Sequence, residues 1–430
     1  MNILFICTGG PPLPHGTGHQ VHNSGNIECL IHLGHQVDVI ILSKNQKESK
    51  AEVLKTKKYH PKLNSCQTII LNEKKTTSLN TLKLYNIFTE LIKLYFYPIQ
   101  YFTSKNYKSV CNEINSIILN NKVDIIWYED FYVGVYDFLL NKSIPMIYNM
   151  HDIQANAYKN RNILYFNNKN SFSNVVRRVI VNARYQVLKR SELKLQKRSK
   201  VVLSGSSTDV KYLKGRGVNS ILRKIYIKGG PELSLKKREN FIKNKIFNEK
   251  KLKIMHIGGV DGSFTSVSLL WFMNQVWPKL LKDLNIYNLE LHIIGGGKPS
   301  PELKESFNKP NVLYRGYVDN IWDELVDSFF VVVPGKLITG VRIRVPTIFS
   351  MMVPAIGNKV SFDGMFKNNK MQGALFAENN HQFSKNIKMM ADDHDYYLRI
   401  CKDAMAFYLN NHSLNKAAKD IDNIIKGVMV

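Results

Sequence analysis

The 430-residue chain lacks the sequence marks of several large protein classes. Its five cysteines show no CxxC or similar spacing and are odd in number, which argues against a zinc module and a secreted disulfide scaffold. No apolar run approaches the ~20 residues of a membrane-spanning helix. The opening MNILFICTGG has no basic segment before a long apolar one, so we expect a first strand rather than a signal peptide. These absences favour a globular protein of the reducing cytoplasm.

Acidic residues are scarce: 34 aspartates and glutamates stand against 60 lysines and arginines, a formal net charge of +26. Such a charge attracts nucleic acid, acidic lipid or phosphate-bearing substrates. No RNP, helix-turn-helix or zinc motif supports nucleic acid, so it is not expected as a partner. A compositional preference for surface lysine explains the excess equally well.

Strand and helix patterns alternate along the chain and restart once. Short apolar runs predict strands at Met1–Cys7, Gln36–Leu42, Thr68–Leu71, Ile125–Trp127, Pro145–Asn149, Lys200–Ser204, Ile254–Ile257, Glu290–Ile294 and Val312–Tyr314. The polar, lysine-rich stretch Leu235–Lys251 carries no apolar periodicity and is predicted to be a linker. Alternating strands and helices imply parallel sheets with right-handed crossovers. We therefore predict an α/β protein with two Rossmann-like domains, residues 1–235 and 252–405, and a C-terminal helix, 406–430, that crosses back to the first domain.

The segment VVVPGKLITGVRIRVPTIFSMMVPAIG, residues 331–357, predicts an anion site. An apolar strand ends at Pro334, a loop follows, and Arg342 and Arg344 stand where a helix should begin. Backbone N–H groups and the positive end of the dipole at a helix start favour phosphate. Two arginines add forked donors that match phosphate oxygens.

The same segment resembles a known loop. Its order of residues is similar to the nucleotide-sugar loop of GT-B glycosyltransferases, in particular the retaining family 4, the glycosyl transferases group 1. The matching positions are Pro334, Gly340, Arg344, Pro354 and Gly364. Met352 stands where the family has the Gly of Gly-x-Pro. The paired family glutamates, of which the second often holds the donor ribose, fall on Thr339 and Thr347.

Three more segments of the second half resemble the family. They are HIGGVDGSFTSVSLLWFMNQVWP, LHIIGGGKPS and NVLYRGYVDN. The family's Arg/Lys pair after the first of these strands is missing, which leaves the diphosphate to Arg342 and Arg344. The resemblance implies donor contacts from Gly258, Gly259, Gly295, Gly296, Tyr317, Val318, Thr339, Gly340, Arg342, Arg344 and Thr347.

The first strand leads into a glycine-rich loop, CTGGPPLPHGTGHQVHNSG. Gly16-Thr17-Gly18 lacks the third glycine of a GxGxxG fingerprint, so a Rossmann dehydrogenase is disfavoured. Glycines permit close backbone approach to a ligand. In the family that this chain resembles, the matching loop lines the acceptor and the donor phosphates, which would involve Gly16, Thr17, Gly18 and His19 here. A plain surface loop is the alternative.

His151 follows an apolar strand and lies next to Asp152, at the strand end where ligands bind in open α/β sheets. The family commonly carries a histidine there, near the transferring sugar, so His151 is the candidate catalytic residue. A lone histidine is more often structural, and His22 and His32 are expected to pack or face solvent. Because DxD and metal-ligand spacings are absent, no metal or other cofactor is expected.

A long helix is predicted at Arg177–Arg198, with basic residues that include Arg177, Arg178, Lys189 and Arg190. Such an amphipathic basic helix can sit on anionic lipid headgroups. Together with the aromatic segment Lys93–Phe102, it suggests a membrane-facing first domain. The alternative is a helix packed on the sheet with a solvated basic face.

The family resemblance implies two Rossmann-like domains with parallel sheets facing a central cleft. It implies metal-independent transfer of a sugar, with retention, from a nucleotide-sugar to a glycan or lipid-linked acceptor in cell-surface polysaccharide or glycoconjugate assembly. The location would be cytoplasmic, peripheral on the inner face of the membrane. Two alternatives stay open: a GT-B sugar-nucleotide epimerase, and a non-catalytic GT-B-like binding protein, which Thr339 and Thr347 favour.

Overall fold

The computed structural model describes residues 1–72, 92, 94–96, 101–140, 143–166, 172–244, 251–336, 342–366 and 372–429. The chain forms two compact units, Met1–Ile225 with Ala417–Val430, and Tyr226–Lys416. The sequence-based boundaries were residues 235 and 405. Every strand pair in both units is parallel, and the predicted α/β class is confirmed.

The first unit contains a seven-stranded sheet of order β3-β2-β1-β4-β5-β6-β7. Its strands are β1 (Asn2–Cys7), β2 (Gln36–Ser43), β3 (Ser65–Ile70), β4 (Ile125–Glu129), β5 (Met146–Met150), β6 (Val201–Ser204) and β7 (Ser220–Leu222). Runs such as NILFIC and QVDVIILS are buried along almost their whole length, because helices cover both faces of a parallel sheet.

The helices of the first unit connect these strands. They are Gly18–His32, Ser49–Tyr59, Tyr107–Asn120, Phe131–Gly134, the 3-10 turn Val135–Leu139, Gln154–Phe166, Phe172–Arg198 and Ser207–Lys214. The final helix, Leu414–Met429, belongs to this unit from Ala417 onward. Its inward face is apolar, with Ile421, Ile424 and Ile425 buried. Part of the aromatic segment Lys93–Phe102 lies outside the described residues.

The second unit contains a six-stranded sheet of order β10-β9-β8-β11-β12-β13. Its strands are β8 (Lys251–Ile257), β9 (Asn288–Ile294), β10 (Val312–Gly316), β11 (Phe330–Val333), β12 (Ala355–Gly357) and β13 (Ala374–Phe376). Its helical segments are Glu232–Asn244, Ser263–Trp271, the π-helical turn Phe272–Val276, Trp277–Asp283, Pro301–Ser306, Ile321–Leu325, Arg344–Phe349, the 3-10 turn Lys359–Phe362, Asn380–Asp392 and His394–His412.

The predicted linker Leu235–Lys251 was wrong over most of its described length, since Glu232–Asn244 is a helix. Its inward positions, four residues apart, are Ser234, Arg238 and Ile242. Arg238 is fully buried and donates to the carbonyls of Val326, Ser328 and Met352 and to the hydroxyl of Tyr397. Because two of the three buried residues are polar, the helix shows no apolar periodicity in the sequence.

Among the described residues, no helix has both the length and the hydropathy of a bilayer span.

Candidate active site

The strand order of the first sheet reverses between β1 and β4, and ligands of open α/β sheets bind at the carboxyl ends of strands at such a point. Polar side chains converge there from β4, from the residue after β5 and from the helix Gly18–His32. They form the histidine–glutamate cluster, which we define as His19, His22, Glu129 and His151.

The glycine-rich loop sets the start of the helix that carries two of these histidines. Thr17 is the N-cap: its hydroxyl accepts from the backbone N–H of Gln20, and the Gln20 side chain accepts from the backbone N–H of Thr17. Gly9 has a φ of +87°, and a Cβ there would lie 3.1 Å from the Cβ of His19. The loop therefore passes close to His19, which only glycine permits.

Glu129 is the centre of the cluster, with a side chain that is 1% exposed. Its Oε1 accepts from Trp127 Nε1 at 2.7 Å and from Asn26 Nδ2 at 2.6 Å. Asn149 Nδ2 lies 3.0 Å from both carboxylate oxygens. Oε2 also contacts His22 Nδ1 at 3.1 Å and His151 Nε2 at 2.8 Å. A buried carboxylate is stable only when it is paired and hydrogen-bonded, and these donors meet that need.

The electrostatics of the cluster follow from this geometry. Burial alone would raise the pKa of Glu129, but its interactions with His22 and His151 hold it well below its usual value. Burial works against the charged form of His151, yet the hydrogen bond and charge of Glu129 raise its pKa overall. For His22, burial and the neighbouring His151 lower the pKa to about 3. Near neutral pH, Glu129 is thus ionised and His22 is neutral.

Both ring nitrogens of His151 are engaged. Its Nε2 contacts Glu129, and its Nδ1 lies 3.1 Å from Nδ1 of His19. Partial desolvation and the His151 charge lower the pKa of His19 to about 4. His19 is the exposed member, and within the part of the chain that the structure describes its Nε2 has no hydrogen-bond partner. His19, rather than His151, is therefore the exposed ring of the cluster.

The cluster also has the composition of a metal site. Ligand atoms of His22, Glu129 and His151 lie within 4.8 Å of one another. However, Trp127, Asn26 and Asn149 direct N–H groups at the carboxylate, and Arg223 donates to Asn26 from a buried position. Nitrogen donors and a guanidinium favour an anionic carboxylate over a bound cation. We therefore interpret the cluster as a hydrogen-bonded network, and metal independence stays a prediction.

The order of the second sheet reverses between β8 and β11, and Arg344 lies at the carboxyl end of β8. Its Nη1 donates to the carbonyl of Ile257 at 2.6 Å. A Cβ on Gly258 would lie 2.8 Å from this nitrogen. Burial lowers the pKa of Arg344 to about 10, and among the described residues no carboxylate pairs with it. A half-buried guanidinium without a carboxylate partner is a site for an external anion.

Two glycine loops contact each other at this end of the second sheet. Gly295 has a φ of +154°, and a Cβ there would lie 1.9 Å from the carbonyl oxygen of Gly258. Gly259 and Gly296 are beside them, and the backbone N–H of Val260 donates to the carbonyl of Gly296. The structure thus brings the predicted donor residues of β8 and β9 together with Arg344.

The other predicted donor-binding residues are not among these contacts with Arg344 and the two glycine loops. Tyr317 is exposed after β10, with Val318 half-buried beside it. Arg342 is half-buried just before the helix Arg344–Phe349. The Thr347 hydroxyl donates to the carbonyl of Ile343, in its own helix. Thr339 and Gly340 lie outside the described residues.

The predicted basic helix exists and spans Phe172–Arg198. Arg178 and Arg190 are exposed, and Lys189 is half-buried with its ammonium 5.8 Å from the ring of Tyr185. The side chain of Arg177 lies outside the described residues. In the aromatic segment, Tyr95 is 79% exposed and Phe96 is 65% exposed.

With this geometry in place, comparison with known proteins identifies the family of the second unit. Residues 251–393 match the family of glycosyl transferases group 1. The second unit is a group 1 glycosyltransferase domain. No curated protein sequence matches the chain.

Solved structures extend the comparison to the whole chain. Sucrose-phosphate synthase from Thermosynechococcus elongatus is 12% identical, with 98% of each chain covered and a TM-score of 0.65. HepE from Anabaena in complex with UDP is 12% identical over 99% of this chain and 100% of that one, with a TM-score of 0.62. A Rickettsia africae glycosyltransferase is 14% identical over 100% and 98%, with a TM-score of 0.60. These similarities show the GT-B fold, which the sequence predicted.

Glu129 lies in no recognised motif and was not predicted as a site residue, and His22 was expected only to pack or face solvent. A usable signal was present: Glu129 and Asn149 are polar residues in otherwise apolar strands, and they pair directly across the β4–β5 register. Buried polar groups in adjacent strands at a sheet's switch point need partners, so they mark a site.

Proposed function

We propose that this protein transfers a sugar from a nucleotide-sugar donor to a glycan or lipid-linked acceptor, with retention and without a metal. The observation that carries the proposal is the half-buried Arg344, whose guanidinium lies at the carboxyl end of β8, within a group 1 glycosyltransferase domain. The relative HepE has been solved with UDP and with UDP-glucose, which supports a donor of this class.

In this proposal the second unit binds the donor diphosphate. Arg344 supplies a fixed positive charge, and the Gly258 and Gly295 loops allow the diphosphate to approach the backbone. The same charge stabilises the leaving nucleoside diphosphate as the bond to the anomeric carbon breaks. Arg342 adds a second guanidinium just ahead of Arg344. In the first unit, the Gly16–His19 loop borders the acceptor, and His151 supports the sugar.

The test is direct. Binding of a panel of nucleotide sugars and nucleoside diphosphates is measured by calorimetry for the wild type, Arg344→Ala and the control Arg399→Ala, which removes an exposed arginine of the same unit. Loss of charge-assisted hydrogen bonds should weaken binding in Arg344→Ala by about 1.5–3 kcal/mol. Unchanged affinity in Arg344→Ala would remove the assignment of this residue, and no binding to wild type would end the proposal.

A non-catalytic binding protein is the second candidate, and Thr347 favours it. Its hydroxyl is bonded within its own helix, and it stands where the family has a ribose-binding glutamate. Donor hydrolysis without acceptor, followed by product analysis with glycan and lipid-linked acceptors, separates the two candidates. A protein that binds nucleotide sugars but never cleaves them is a binding protein.

We further propose that the acceptor lies at an anionic membrane surface, in assembly of a cell-surface glycan. Exposed Arg178 and Arg190 on one helix, and the exposed aromatic pair Tyr95 and Phe96, support this location. Sedimentation with anionic and neutral vesicles is compared for wild type and Arg178→Glu/Arg190→Glu. The matched control is Lys57→Glu/Lys58→Glu, which changes the charge equally on another helix. Equal binding by both variants would mean that net charge alone acts.

A further inference from the structure

A groove opens in the first unit at the amino ends of β5 and β6. It is lined by the residues that lead into these two strands and by the last turns of the helices Phe172–Arg198 and Leu414–Met429. Its volume of about 740 Å³ is of the size that holds a small-molecule ligand. The five residues of β5, about 16 Å of extended chain, separate it from His151. The groove is therefore distinct from the histidine–glutamate cluster.

The charge of the groove is mainly positive. Lys197, Arg198 and Lys200 line it and are exposed, and the one acid among its described lining residues is the buried Asp137. Within the described part of the chain, no carboxylate pairs with either lysine. Basic residues are common in the last turn of a helix, where they meet the negative end of its dipole. That preference covers Lys197 and Arg198, but Lys200 lies beyond the helix end.

The guanidinium of Arg198 is held in a fixed orientation. Its Nε donates to Oδ2 of Asp137 at 2.6 Å, and its central carbon lies 5.8 Å from the centre of the Phe138 ring. Neither Nη group has a hydrogen-bond partner among the described residues, and the side chain is 46% exposed. A guanidinium with a fixed plane and unpaired Nη groups is preorganised to donate to two oxygens of a phosphate.

The remainder of the groove is largely apolar. Ile144, Pro145 and Met146 lie at the start of β5, and Val428 and Met429 lie at the end of the last helix. Met429 is 47% exposed. Cations and apolar side chains in one groove match a ligand that carries a phosphate at one end and hydrocarbon at the other. Inorganic phosphate or a soluble phosphate ester would use the cations but leave the apolar surface in contact with water.

We propose that this groove binds a lipid phosphate. The phosphomonoester lies on Arg198, Lys197 and Lys200, and the first part of the hydrocarbon lies against Pro145 and Met429. Three cations and one carboxylate leave a net charge that complements the dianion of a phosphomonoester. Because the groove is at the strand ends opposite to the cluster, the bound lipid anchors the first unit and takes no part in sugar transfer. The inference does not depend on the proposed function.

Vesicle sedimentation tests the headgroup. Phosphatidylcholine vesicles that carry phosphatidic acid, a phosphomonoester, are compared with vesicles that carry phosphatidylglycerol, a phosphodiester, at matched zeta potential. The wild type should bind the phosphatidic acid vesicles about tenfold more tightly. Lys197→Gln/Lys200→Gln should remove this preference. Arg198→Lys, which keeps a cation beside the buried carboxylate but loses the fork, should reduce it without unfolding the protein.

The matched control for these variants is Lys211→Gln/Lys214→Gln, which removes the same charge from exposed positions of the helix Ser207–Lys214. It should keep the preference for phosphatidic acid. Equal binding of the wild type to the two kinds of vesicle would show that surface charge alone acts and would overturn the proposal. Loss of the preference in the control would overturn it as well.

A second experiment locates the ligand and identifies its source. Methyl spectra of methionine-labelled protein are recorded with short-chain phosphatidic acid, with glycerol 3-phosphate and with inorganic phosphate. Short-chain phosphatidic acid should shift the methyl signals of Met146 and Met429 and leave that of Met273, buried in the second unit, in place. Met429→Gln should weaken its binding by about three- to tenfold without changing that of glycerol 3-phosphate.

Two outcomes of this experiment would overturn the proposal. Equal affinity for glycerol 3-phosphate and short-chain phosphatidic acid would assign the groove to a soluble phosphate ester. Shifts confined to methionines outside the groove would remove the site. Neither measurement uses a nucleotide sugar, so failure of the proposed function is recognised separately.

Discussion

Replacing Glu129 with glutamine should destabilise the first unit strongly, although the two side chains have nearly the same shape. The carboxylate accepts from Trp127, Asn26 and Asn149 and pairs with His22 and His151. Glutamine keeps one acceptor oxygen and replaces the other with a donor NH2, so at least one pair of donors is left facing a donor.

The magnitude follows from the number of interactions lost. A hydrogen bond to a charged group contributes ~1.5–3 kcal/mol, and breaking a buried ion pair costs about 3–5 kcal/mol. We expect Glu129→Gln to lower the free energy of unfolding by about 3–5 kcal/mol at pH 6. For a unit of this size, each kcal/mol shifts Tm by ~2–4 °C, so the expected loss is roughly 6–20 °C.

The pH dependence gives the test its sign. The pKa of Glu129 is lower in the folded chain, so its contribution is present above the unfolded value of about 4.3 and declines as pH falls. The pKa of His151 is higher in the folded chain, so its contribution is complete below about pH 6.5 and declines as pH rises through the folded value. The gap between wild type and variant should therefore be widest near pH 5–6.5.

The assay is calorimetric unfolding at several pH values, with hydrogen exchange of peptides that cover β1 and β4 to assign the transition to the first unit. Glu113→Gln, on an exposed helical surface of the same unit, is the control. A gap below 1 kcal/mol, or one that stays constant from pH 5 to 9, would refute the reasoning.

Three further predictions concern other buried groups. Glu192 accepts from the backbone N–H groups of Gln154 and Ala155, and burial raises its pKa to about 8. The free energy of unfolding of the wild type should therefore fall as pH rises from 4.5 to 8, and this fall should be absent in Glu192→Gln. Parallel pH–stability curves for the two proteins would contradict this. Arg238→Met leaves buried carbonyls of the second unit without donors and should cost ~3–5 kcal/mol by denaturant unfolding, whereas Arg399→Met should cost under 0.5 kcal/mol. Gly295→Ala places a Cβ against the Gly258 carbonyl and should reduce donor affinity in calorimetry by at least tenfold, while Gly427→Ala, which has open space, should not.

The sheets were predictable because their strands are apolar on both faces, a pattern that few other structures produce. Two of the helices that were not predicted have polar residues at buried positions. The helix Ser49–Tyr59 buries Glu52 and Thr56, and the helix Glu232–Asn244 buries Ser234 and Arg238. Because these buried residues are polar, neither helix shows the apolar periodicity by which a helix is predicted from sequence. Arg238 is satisfied by partners far along the chain, among them Tyr397, and a sequence window does not contain those partners.

The distance along the chain between interacting residues also explains which half of the candidate site could be predicted from the sequence. Arg344 and the glycines around it lie in short contiguous segments, and the order of residues within these segments is enough to predict an anion site. The role of the Glu129 carboxylate depends on its contacts with Asn26, Asn149 and His22, which lie on different helices and strands. Yet a carboxylate in a buried strand requires donors, whichever residues supply them. The alternation of side chains along β4 puts Trp127 and Glu129 on one face, and the parallel register puts Asn149 opposite Glu129. Applied to both sheets, the requirement that each buried strand carboxylate be satisfied would have marked Glu129 together with Asp38 of β2, and the position of Glu129 at the carboxyl end of its strand, where His151 also lies, separates the two.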